Sequence, residues 1–161
     1  MTRGRAARAA SLLRTRWLVR APIWLYRARL GMLFGSRLLL LEHVGRKTGQ
    51  IRRVVLEVVD RSEPGRYVVV SGFGTRAQWF KNVLAHPDVR VQVGSRAPRP
   101  ARARQLAPQE AAAALDRYAA AHPRAWAGLR PVLEETLGAR IERTGSDLPM
   151  VALQLSGPTR E

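Results

Sequence analysis

The chain contains no cysteine. That absence excludes disulfides, thiolate metal sites and a cysteine nucleophile. Histidine is scarce: His43, His86 and His122 lie far apart, without ligand spacing, so no metal site is expected. Paired carboxylates on a helix face, a G-x-S-x-G elbow and a histidine close to a nucleophile are all missing. Any chemistry therefore belongs to a cofactor, with the protein supplying binding and orientation. Aromatic residues make up only 6% of the chain. No aromatic-basic stacking stripe accompanies the positive charge, so nucleic acid is not an expected partner and a basic nucleic-acid binder is the weakest alternative. Arginine interrupts every apolar run before it reaches the ~18 residues of a spanning helix.

What is present is one domain's worth of chain, 161 residues, 46% apolar. The formal net charge is +16, which favours an anionic partner. Much of that charge is compositional: of 28 basic residues only Lys47 and Lys81 are lysines. In so arginine-rich a chain a lysine is the more informative cation.

Nine arginines precede the first acid, Glu42, and between them run Trp17, Leu18, Ile23, Trp24, Leu25, Leu30 and Phe34. The pattern predicts a basic helical segment over 1–36, with a helix from about Pro22 to Leu33. Two readings stand: a helix packed on the domain with its arginines in water, or a cationic helix on an anionic leaflet. On either reading the protein is expected in the cytoplasm, and on the second it is peripheral on the inner face of the plasma membrane. The sequence carries no signal for oligomeric state.

Short apolar runs bounded by turn residues predict strands at 37–44, 52–60, 66–72, 89–94, 99–106 and 148–156. Helices are predicted at 78–86, ended by Pro87, at 108–122, and over 124–138 with a break at Pro131. Short connections make the sheet mainly antiparallel. The expected fold is α+β with a mainly β core: a split barrel of about six strands over 37–156, followed by a loose tail at 157–161.

Two stretches carry candidate chemistry. "HVGRKTGQIRR" places Arg46, Lys47, Arg52 and Arg53 around Gly45 and Gly49. It is no Walker loop, because Lys47 precedes Gly49 and a strand follows. As a β-loop-β anion site, its glycines let the backbone turn and present N–H groups, the cations add charge, and Thr48 adds a donor. Arg52 and Arg53 point to opposite faces of the next strand, so one of them faces the loop. A solvated basic hairpin is the plain alternative. In "SGFGTRAQWFKN" a strand ends at Ser71-Gly72 and a loop leads into a helix bearing Trp79 and Asn82. Trp79 suits either a flat ring or the core.

Taken together, "LLLLEHVGRKTGQIRR", "YVVVSGFG", "QWFKNVLAHPDVRVQVG" and "PARARQL" resemble, in order and spacing, the deazaflavin-dependent nitroreductase family, which includes quinone reductases. The resemblance implies a split barrel binding reduced coenzyme F420, with FMN a secondary alternative, and hydride transfer to a small acceptor; the N-terminal cationic helix fits a lipid-soluble one such as a quinone. It implies that Arg46, Lys47, Thr48 and Arg52 hold the cofactor's phosphate and polyglutamate tail, and that Ser71, Trp79 and Asn82 flank its ring. Gly49, Arg53, Val54, Gly72 and Gln78 complete the cofactor-binding set, and Ser71 is the candidate for stabilising charge on the acceptor. Nitroimidazole-reducing members carry clustered tyrosines over the acceptor pocket. Here only Tyr118 and Trp126 offer themselves, so the acceptor stays open. A flavin- or haem-binding barrel without turnover is the rival reading.

Overall fold

The computed structural model describes residues 38–72, 74–138, 140–141 and 148–157. The predicted N-terminal helix and the last four residues lie outside them. Among the described residues six strands form, in chain order, β1 (Leu38–Val44), β2 (Ile51–Asp60), β3 (Arg66–Val70), β4 (Asp88–Val93), β5 (Arg99–Gln105) and β6 (Met150–Leu155). The helices are α1 (Gln78–Ala85), α2 (Pro108–Ala121) and α3 (Pro123–Leu137). The strands close into a barrel in the order β1-β2-β3-β6-β5-β4, every pair antiparallel. Closure leaves no open sheet edge.

Period-two alternation divides the side chains into two cores. Leu39, Leu41, Leu56, Val58, Val69, Val91, Val151 and Leu153 fill the barrel, and Trp79, Phe80 and Val83 of α1 plug its end. The opposite faces of β2, β3 and β6 give Val59, Val68, Val70, Met150 and Ala152 to a second core under α2 and α3. Full burial of an aliphatic side chain stabilises by roughly 1.5–3 kcal/mol.

The expected break at Pro131 does not occur: α3 runs unbroken through it. Proline removes one main-chain hydrogen bond. The helix persists because Trp126, Leu129 and Leu133, at helical spacing, pack into the second core.

Candidate functional site

The site forms where the β1–β2 loop meets α1 at the barrel mouth. Leu39, Leu41 and His43 share the inner face of β1, and the register sets His43 opposite Arg52. His43 is therefore carried inward, only 4% exposed. Asn82, 3% exposed on α1, meets it: the Asn82 Nδ2 lies 3.2 Å from His43 Nδ1. Asn82 Oδ1 accepts from the Arg46 backbone N–H at 3.1 Å and from Arg46 Nη1 at 2.9 Å. The same Nη1 donates to Gln78 Oε1 at 3.0 Å. Both side-chain partners of the Arg46 guanidinium are thus neutral amides, which leave its charge unanswered.

The loop turns tightly. Gly45 and Gly49 N–H groups donate to Gln50 and Gly45 carbonyls at 2.8 Å, Thr48 N–H to Gly45 O at 3.3 Å, and Gln50 N–H to Thr48 Oγ1 at 3.3 Å. The N–H groups of Gly45, Arg46, Thr48, Gly49 and Gln50 are thus taken up by the turn and by Asn82 rather than presented as a free array. Charge offered to an anion here would come mainly from side chains. Gly49 sits at φ +68° with open space around it. We expect Gly49→Ala to cost about 1 kcal/mol through backbone strain alone, read as a lowered urea midpoint at unchanged m-value. Gly45 is needed for a different reason: a Cβ there would stand 2.8 Å from Thr48 Oγ1 and 3.1 Å from Arg52 Nε.

That last contact shows which arginine turns back. Arg52 lies over the loop, whereas the Arg53 guanidinium turns aside to pair with Glu42 at 2.7 Å. Two adjoining clefts result. One, of about 290 Å³, is lined by Gly45, Arg46, Lys47, Thr48, Arg52, Gln78 and Asn82. The other, of about 480 Å³, shares Arg52, Gln78 and Asn82 and adds His43, Ile51, Arg53, Val54, Ala77 and Trp79. Among the described residues no acid lines either. Burial first, then the Arg52 charge, lowers the His43 pKa to about 4, so the imidazole is neutral.

Ten expected residues are thus gathered at the mouth: Arg46, Lys47, Thr48, Arg52, Arg53, Val54, Gln78, Trp79 and Asn82 line the clefts, and Gly49 turns the loop. Trp79 serves both readings, since it belongs to the barrel core and also lines the second cleft. Ser71 and Gly72 line neither cleft. The Ser71 side chain is fully buried and its Oγ donates to the Gly74 carbonyl at 2.6 Å, pinning the turn into α1. The charge-stabilising role expected of it lacks an exposed hydroxyl. Tyr118 and Trp126 do meet, edge to face at 6.4 Å, but in the second core. The Tyr118 hydroxyl donates to Glu57, and Tyr118 itself lines a separate cavity of about 330 Å³ together with Asp60, Arg61, Arg117 and His122. The geometry therefore separates this pair from the basic clefts. His43 was missed as a site residue; its inward phase, two positions after Leu41, was the available signal.

The fold is that of the FMN-binding split barrels. A protein related to general stress protein 26, of the pyridoxinephosphate oxidase family, from Clostridium acetobutylicum is 6% identical over 82% of this chain and 83% of that one, at a TM-score of 0.52. A pyridoxamine 5'-phosphate oxidase-related FMN-binding protein from Nostoc punctiforme PCC 73102 is 11% identical over 84% and 79%, at 0.50. At such identities they speak for the fold alone. A solved F420-H2 dependent reductase is 25% identical over 74% of this chain and 96% of its own, at 0.53. No curated protein matches the chain. The family model of the F420H2-dependent quinone reductases matches residues 18–154. The chain belongs to that family. It is an F420-dependent oxidoreductase, and reduced coenzyme F420 is its cofactor. The acid-free cleft suits the anionic part of such a cofactor, and the second cleft adds the apolar side chains Ile51, Val54, Ala77 and Trp79.

Proposed function

We propose that this enzyme passes a hydride from reduced coenzyme F420 to a lipid-soluble acceptor of the quinone class, with the two clefts dividing the coenzyme between them. The observation that carries this reading is the acid-free cleft with Lys47 and Arg52 on its wall, continuous through Gln78 and Asn82 with a cleft that holds Val54 and Trp79. Lys47 and Arg52 bind the tail, Lys47 as a mobile point charge and Arg52 through its planar fork. Val54, Ala77 and Trp79 flank the ring and exclude water beside it. When bound, the coenzyme supplies the hydride. The protein's part is to hold donor and acceptor in line, which can account for much of the rate. The acceptor gains the hydride, with its two electrons, and one proton from solvent completes the hydroquinone. We place this activity in the cytoplasm, where the basic segment before β1 would meet the inner membrane face.

Fluorescence titration with coenzyme F420, with FMN as control, tests the reading. Deazaflavin-selective binding, followed by quinone-dependent oxidation of the reduced coenzyme, is expected. Preference for FMN would overturn the assignment of the clefts, and binding without quinone turnover would overturn the acceptor class.

A further inference from the structure

Arginine has donors and no acceptor. The two bonds from Arg46 to Asn82 therefore require the amide oxygen at that end, so the NH2 group faces His43. His43 Nδ1 must then accept, and the imidazole proton sits on Nε2. A second proton on Nδ1 would set donor against donor. The charged groups facing this imidazole are Arg52 from β2 and, across Asn82, Arg46 from the loop; α1 offers Gln78, Trp79 and Asn82, and no carboxylate lines either cleft. The contact bridges 39 positions of sequence and is buried, so it is a tie between the barrel wall and its plug.

We propose that His43 is a positioning residue for the coenzyme tail: its unprotonated Nδ1 fixes the Asn82 amide, which in turn holds the backbone and guanidinium of Arg46 and thereby the loop bearing Lys47. His43 touches no tail atom in this scheme and acts only through Asn82. The inference rests on the assignment of the basic cleft to the tail.

Three variants test it. In His43→Phe the acceptor is gone while the volume is kept; in His43→Gln a side-chain oxygen can still accept. We expect His43→Phe to weaken coenzyme F420 binding about fivefold and to speed hydrogen exchange of the Arg46 amide in the cofactor-free protein. His43→Gln should restore both to within about twofold of the parent. In Asn82→Asp the acceptor-only carboxylate calls for a donor, so the His43 pKa, followed by NMR, should rise above its ordinary value. An unchanged Arg46 exchange rate in His43→Phe, or a His43 pKa still near 4 in Asn82→Asp, would overturn the tie. Because exchange and titration are read without cofactor, a parent protein that failed to bind coenzyme F420 would remove the functional reading and leave the tie standing or falling on its own.

Discussion

Replacing Lys47 and Arg52 together by alanine is expected to weaken coenzyme F420 binding at least tenfold, about 1.4 kcal/mol, in a protein that still folds. Both side chains are exposed, so their removal leaves no buried group unpaired. Neither has a carboxylate partner among the residues lining the cleft, so their charge is available to a ligand. Arg46 is the wrong residue for this experiment, since its donors also hold the loop to α1, and its loss would mix binding with loop geometry. Arg102 is the right control. It is exposed on β5, pairs with Asp88 at 3.0 Å and lines neither cleft, and Arg102→Ala should change affinity by less than about twofold. Parent binding should weaken with added salt, and the double variant should respond less, because screening acts on the charges that were removed. Equal affinity of parent and double variant at low salt would take the tail away from this cleft.

Which arginine faces the cleft shows where sequence ceases to suffice. Alternation puts Arg52 and Arg53 on opposite faces of any strand. The phase comes from pairing: His43, inward after Leu39 and Leu41, lies opposite Arg52. The strands themselves were legible, because runs such as VVLEVV and VVV, bounded by glycine and proline, have few other solutions. The site was legible as composition and motif, but its hydrogen bonds were not. Gly45 and Gly49 are consistent with a loop that presents its N–H groups and with one that consumes them; the partner Asn82, 36 positions from Arg46, decides between the two. Ser71 and Tyr118 lie away from the basic clefts for a related reason. A hydroxyl reads the same in sequence whether it meets a ligand or, as here, a carbonyl and a carboxylate of the fold. Pro131 failed because tertiary packing of Trp126 and Leu133 outweighed a local preference.

The same burial that makes His43 a tie makes it a point of acid sensitivity. Its folded pKa of about 4 lies below the ordinary 6.5. Above pH 6.5 neither folded nor unfolded protein protonates this ring, and its contribution to stability is intact. As pH falls from 6.5 toward 4 the unfolded chain takes up a proton that the native protein refuses, so stability declines by up to ~1.4 kcal/mol per pH unit. Below about 4 the native ring is protonated as well, and the further loss from this residue stops. The full window amounts to about 3 kcal/mol. Asp60 acts in a lower window. Burial pushes its carboxyl up, but hydrogen bonds from Arg117 and Ser62, with the Arg117 charge, outweigh that and hold it below its ordinary 3.8. Its contribution is intact above that value and is lost only as pH falls further. Glu110 and Glu134, also held below their ordinary 4.5, lose their contribution mainly as pH falls through that value, so urea unfolding at pH 7 and pH 5 reads chiefly the histidine. The parent should lose about 2 kcal/mol between the two conditions, and His43→Gln, which cannot titrate, should lose distinctly less. An identical loss in both would place the acid sensitivity elsewhere in the chain and return His43 to the ordinary core.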